Sequence, residues 1–323
     1  MSSPIDELSA LDPHRTREHR RRRMRRRRRR AYVRSVYFLP SLATLGNAVC
    51  GFAAMYVSTL AAIALESGHG SIVFRDEWTR FWAHNGFAYA AYLIFGAMMF
   101  DAIDGRLARL TRHTTDFGGQ LDSLADVVSF GAAPAFIALQ LFRLEVLDVH
   151  YIPVALSRLN WAIGALYFSC AAIRLARFNV SNEHGEQHHF SFLGLPSPGA
   201  GGAVAAWILM QQDLRWLGSQ AGGGYILARQ LGNICIYLLP VIVLATGLLM
   251  VSNFRYPHLV NRFLRGKRSV ARLLAVVVLL LLLVVWHQYV LGLGMVAYAF
   301  SSVVMWGYHR IRRRHRRAGA RVR

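Results

Sequence analysis

Acidic side chains are scarce in this chain of 323 residues: 17 Asp and Glu stand against 38 Lys and Arg, for a formal charge of +21. Where acids nevertheless cluster, they carry information. Cysteine is scarcer still. Cys50, Cys170 and Cys235 fall in apolar segments without metal-ligand or disulfide spacing, and they read as small buried side chains. Charge is missing altogether from Leu273–Trp286, as a bilayer-spanning helix requires. Aromatics are missing from the arginine-rich run His14–Arg30, which argues against nucleic-acid binding and for a topology signal that touches anionic lipid. No small-residue cleavage site follows the first apolar segment and its basic lead is long, so that segment is expected to stay as a helix rather than be cleaved as a signal peptide.

What is present is a series of apolar runs of roughly 20 residues, the length that crosses a hydrocarbon core. They predict an all-α integral membrane protein, a polytopic bundle of about eight helices. The expected spans are Val36–Ala64, Phe87–Leu110, Gly118–Phe142, Trp161–Asn179, a fifth opened by Pro196 and Pro198, Asn233–Val251, Leu273–Tyr289 and Leu291–Tyr308. Residues 1–34 read as a disordered basic tail, 35–308 as a transmembrane catalytic domain and 309–323 as a basic C-terminal tail. Eight spans place both termini on one side. The basic loops, with Arg112, Arg177 and the cluster Arg255, Arg262, Arg265, Lys267 and Arg268, put that side in the cytoplasm of a cell (inner) membrane.

The acids that cluster are Asp101, Asp104, Asp122 and Asp126, in the stretch DAIDGRLARLTRHTTDFGGQLDSLAD. The first pair is spaced i, i+3 and the second i, i+4, so each pair shares a helix face. Two such helices side by side gather four carboxylates at the cytoplasmic ends of spans 2 and 3. Unpaired, they would repel and carry a heavy desolvation cost, whereas two divalent cations would balance them. Hard cations such as Mg²⁺ take oxygen ligands, which Asp101, Asp104 and Asp122 can supply. Gly105 and Gly118 permit close approach of a bulky pyrophosphate or a neighbouring helix, Ala108 leaves space, and Arg109 can donate to phosphate oxygens. Thr44, Asn47 and Gly51 form a small polar stripe on the first helix that either packing or a ligand could use. Salt bridges to Arg106 and Arg109 would leave a surplus of acid.

The eight positions D-x2-D-G-x2-A-R-x8-G-x3-D-x3-D are all filled, and the pattern resembles the signature of the CDP-alcohol phosphatidyltransferases. The resemblance implies a membrane enzyme that moves a phosphatidyl group from a CDP-linked donor to an alcohol and releases CMP. It implies Mg²⁺ or Mn²⁺, two per site, and a homodimer. It further implies that Asp126, touching a metal as a fourth ligand, helps deprotonate the attacking hydroxyl. Three flanking stretches, FLPSLATLGNAVCGF, LDSLADVVSFGAAPA and IRLARFN followed by FLGLPSP, resemble the phosphatidylserine synthase branch, although Ser41 stands where that branch usually has Asn. The implied reaction joins CDP-diacylglycerol and L-serine. An amino-acid acceptor brings a carboxylate, for which Arg174 and Arg177 are candidate partners, their alternative role being topology anchors. Three rivals stay in view: another acceptor such as glycerol 3-phosphate, inositol phosphate or choline; a divalent-cation transporter, which would spread its carboxylates through the membrane depth; and a catalytically dead membrane anchor, disfavoured because no motif position is missing. His184, His188 and His189 read as a solvated loop rather than a metal site.

Overall fold

Apolar segments of this length leave a chain in lipid little choice, because every backbone N–H and C=O must find its partner within the helix. The computed structural model describes residues 41–66, 85–111, 116–147, 154–183, 191–220, 225–257 and 270–321, with Glu77 and Phe81. Helix α1 is Ser41–Glu66 and α2 is Gly86–Thr111. A continuous rod follows: α3 (Asp116–Asp126), a π-helical segment Val127–Ala132, α4 (Ala133–Phe142) and a second π segment Arg143–Leu147. Then come α5 (Val154–Glu183), α6 (Ser197–Ser219), α7 (Ile226–Val251), α8 (Val270–Val285) and α9 (His287–Arg321). The basic N-terminal tail, the histidine loop and the cluster from Arg262 to Arg268 lie outside the described residues.

Six of these segments are long and apolar enough to cross a membrane: Ser41–Glu66, Gly86–Leu107, Phe117–Val146, Val154–Val180, Ile226–Val251 and His287–Tyr308. The expected eight had included two more, α6 and α8. Helix α8 is short, and its leucines and valines are exposed almost all round. Helix α6 is the opposite case. Every residue from Gly199 to Gln211 is buried, since α2, α7 and α9 pack around it. A helix so enclosed can be built of Gly and Ala, because neighbours rather than its own side chains shield it from lipid. The boundary between the last two helices falls at Trp286, a few residues before the expected one.

Neighbouring segments run antiparallel, as their contacts show. The start of α2 meets the end of α1, with Gly86 against Val57 and Ala61, and the end of α6 meets the start of α7, with Gly218 against Arg229. Among the described residues the only strands form a ribbon of two three-residue pieces, β1 (Ser191–Leu193) and β2 (Arg255–Pro257), paired antiparallel with Phe192 opposite Tyr256. Gly194 leaves this ribbon at φ +80°, and its N–H donates to the Phe254 carbonyl at 2.8 Å. A β-carbon there would stand 2.3 Å from the Met250 carbonyl oxygen, so only glycine fits. Tyr256 donates to the Ala299 carbonyl at 2.7 Å, which clips α9 to the ribbon. Burial, with Tyr298 beside it, pushes the Tyr256 phenol up to about 12, so it stays a proton donor.

Candidate active site

Three elements bring the aspartates together. Asp101 and Asp104 stand on the last turns of α2, Asp122 and Asp126 on α3, and α1 lies against both. Asp101, Asp122 and Asp126 each offer a carboxylate oxygen within 4.8 Å of the others. Asp104 is buried beside them, in electrostatic contact with Asp122 and Asp126. The i, i+3 and i, i+4 spacings thus do what the sequence required, placing four acids at one end of the bundle.

The polar stripe of α1 holds the carboxylates. Thr44 hydrogen-bonds Asp104, which also accepts from the Gly105 N–H, and Asn47 Nδ2 donates to Asp126 Oδ1 at 3.0 Å. Thr44 and Asn47 are both buried. Ser129 fixes Asn47 in turn, donating from Oγ to the Asn47 carbonyl at 2.8 Å. Such closeness is made by Gly51, where a β-carbon would lie 2.4 Å from Ser129 Oγ and 2.6 Å from its Cα. The stripe therefore serves packing at Gly51 and the acids at Thr44 and Asn47.

Directly after Asp126 the rod widens into its π segment. A π turn breaks the regular i to i−4 ladder and is common beside functional sites. Tyr167 of α5 donates to the Phe130 carbonyl at 3.0 Å within this segment, and Gly201 of α6 comes against Phe130. The tyrosine is fully buried and gives the widened turn a partner that water cannot supply at this depth.

No described Arg or Lys forms an ion pair with any of the four aspartates; the pairs Arg143–Glu66 and Arg215–Glu145 lie elsewhere. Asp104 Oδ2 and Asp122 Oδ1 are buried without a hydrogen-bond partner. Buried carboxylate oxygens left so are costly, and a hard cation is the ligand that oxygen donors in this number suit. The residues present fit a divalent metal. Gly105 adds a second mark, for a β-carbon there would meet nothing within 4 Å: protein packing does not demand the glycine, and the space beside it is open to a ligand. Gly118 lies on α3 four residues before Asp122. The side chains of Ala108 and Arg109 lie outside the described residues.

The two arginines of α5 separate. Arg177 is exposed and donates to Asn253 Oδ1 at 3.0 Å, tying α5 to the end of α7. Arg174 turns toward the acids: it interacts electrostatically with Asp126 and with Tyr298 of α9. One guanidinium nitrogen lies 3.4 Å from Ser197 Oγ, and Nε is buried without a partner. Ser129, Tyr167, Ser197 and Tyr298 were not foreseen as site residues. Ser129 and Ser197 sit in the quoted flanks, whereas Tyr167 and Tyr298 are aromatic residues in apolar helices with no pattern to single them out.

With this geometry in place, comparison with known proteins is informative. A sequence model of the CDP-alcohol phosphatidyltransferase family matches residues 37–227, more than half of the chain. A CDP-diacylglycerol–serine O-phosphatidyltransferase of Helicobacter pylori is 34% identical over 220 residues, covering 68% of this chain and 80% of the relative. A protein of the same name from Methanocaldococcus jannaschii is 31% identical over 186 residues, 57% of this chain and 72% of its own. An archaetidylserine synthase of Methanothermobacter thermautotrophicus is 32% identical over 171 residues, 52% of this chain and 58% of its own. The matched region holds all four aspartates and ends just inside α7.

Proposed function

Because this chain belongs to the CDP-alcohol phosphatidyltransferase family, we propose that it transfers the phosphatidyl group of CDP-diacylglycerol to the hydroxyl of L-serine, giving phosphatidylserine and CMP. The observation that carries the reading is the carboxylate cluster, three oxygens within 4.8 Å with Asp104 buried alongside. In this reading Asp101, Asp104, Asp122 and Asp126 hold two divalent cations, Mg²⁺ or Mn²⁺, which when bound neutralise the pyrophosphate and the departing CMP. The serine oxygen attacks the phosphorus that carries diacylglycerol, the bond from that phosphorus to the CMP oxygen breaks, and the hydroxyl proton passes to Asp126. Asn47 keeps the Asp126 carboxylate oriented for that transfer.

Gly105, Ala108, Gly118 and Arg109 receive the pyrophosphate in this scheme, and Thr44 and Asn47 serve substrate binding through the aspartates that they orient. Arg174 takes the serine carboxylate, its partnerless Nε and half-buried guanidinium being suited to a planar anion. Arg177, engaged with Asn253, borders the entrance. The site faces the cytoplasm of a cell (inner) membrane, with both termini on that side, the arginine-rich tails on anionic lipid, and two chains forming a homodimer.

The test is CMP release by the purified protein with CDP-diacylglycerol and Mg²⁺ or Mn²⁺, offered serine, glycerol 3-phosphate, inositol phosphate and choline in turn. Release that depends on serine alone is expected. Release with a different acceptor would reassign the branch, and none with any acceptor would overturn the enzymatic reading.

A further inference from the structure

The four aspartates occupy one end of the rod, and a second polar constellation occupies the other. Glu145 lies 19 residues beyond Asp126, roughly 30 Å along a helix axis. Its carboxylate is fully engaged: Gln211 donates to Oε2 at 2.8 Å, Gln212 lies 3.5 Å from Oε1, and Arg215 forms an ion pair with it. Gln211 is itself buried. Glu145, Gln211 and Arg215 line a cavity of about 570 Å³ between the end of the rod, the end of α6 and the start of α7. Volumes of this order hold small ligands.

Among the described residues that line it, the charge of the cavity is unbalanced. Arg215 and Arg229 face one acid, and that acid is spent on Arg215 and the two glutamines. Arg229 has no hydrogen-bond or ion-pair partner among the described residues, and it stands in the first turn of α7, where the helix dipole is already positive and a cation is unfavourable. Asn233, one turn on, adds a donor. An excess positive charge, a helix N-terminus and an amide donor around one cavity select a monoanion. The other wall is apolar, with Leu144, Ile236 and Tyr237. A free phosphate has no use for such a wall, whereas a glycerolipid does.

We propose that this cavity binds the phosphate of an anionic phospholipid in the leaflet opposite the carboxylate cluster, with Arg229 and Asn233 holding the phosphate and the α7 wall taking the start of an acyl chain. It is a lipid site separate from the reaction, and it stands whichever alcohol the carboxylate site accepts.

The test is native mass spectrometry and thermal melting of the full-length protein in detergent, titrated with phosphatidylglycerol, phosphatidylcholine or millimolar inorganic phosphate. The wild type should retain one phosphatidylglycerol more firmly than phosphatidylcholine and melt higher with it. In Arg229→Gln, and more so in Arg229→Gln with Asn233→Ala, half-occupancy should need about ten times more phosphatidylglycerol, the loss of one charge-assisted contact. Retained turnover in both variants would certify the fold. Unchanged phosphatidylglycerol binding in both variants, or equal retention of phosphatidylcholine, would overturn the proposal. A melting rise with inorganic phosphate but not with phosphatidylglycerol would overturn it in favour of a free-phosphate site.

Discussion

At the scale of single residues, the site is four acids and the few neutral groups that aim them. Asp126 is the most constrained, deep in the cluster and bonded to Asn47. Asp126→Asn keeps a carbonyl oxygen for the Asn47 amide to bond and so should fold, yet it cannot take a proton; turnover should fall about 10²–10⁴-fold, the usual worth of a general base. Full activity of that variant in the CMP-release assay would remove the assignment. Arg174 is expected to act on the acceptor. Arg174→Ala should raise the Michaelis constant for serine by roughly ten-fold or more while the constant for CDP-diacylglycerol barely moves, and Arg174→Lys should recover part of the loss, because lysine keeps the charge without the planar fork. A serine constant that does not change in Arg174→Ala would return this residue to the role of an anchor.

At the scale of elements, the decisive contact is between α1 and the rod. Gly51 lets the two backbones approach until Ser129 can hold Asn47, and Asn47 holds Asp126. Gly51→Ala would drive a methyl group into the Ser129 backbone. It should cost about 1–3 kcal/mol of stability as an overpacking change, whereas Gly105→Ala should leave stability nearly unchanged, since a β-carbon at Gly105 meets no protein atom, and should lower turnover alone. Melting curves and turnover, measured on both variants, separate the two kinds of glycine. The sequence made the aspartates, their pairing and their end of the bundle readable, because i, i+3 and i, i+4 spacing is a property of the helix itself. It could not say that Thr44 and Asn47 bond Asp104 and Asp126, for that depends on which face of α1 meets which neighbour. The π segment after Asp126 was equally hidden: VVSFGA is an ordinary apolar run, and its widening is tied to contacts from other helices, Tyr167 on a carbonyl and Gly201 against Phe130. Helix α6 had the length of a span without the apolarity of one, and only its place among the other helices explains why.

At the scale of the whole molecule, the order of the helices fixes which end faces which side. The Asp cluster, the β1–β2 ribbon, Arg177 with Asn253 and the end of α7 share one end of the bundle, while Glu145, Arg215 and the start of α7 share the other. If α6 and α8 cross as the other six segments do, the chain passes eight times, and its two arginine-rich ends lie on the side of the acids. Arginines are far harder to translocate than apolar residues, so that side should be the cytoplasm. Reporter fusions test this directly. A reporter that works only in the cytoplasm should be active at either terminus and inactive in the connection after Leu147 or after Gln220. If α8, with its 16 residues, instead lay along the surface, the two termini would report opposite sides. The end of α9 would then be separated from the ribbon to which Tyr256 clips it through Ala299, a contact that requires α9 to pass beside the acids. That contact, and the proximity of Tyr298 to Arg174, favour the eight-pass arrangement, with both reporters active on the cytoplasmic side.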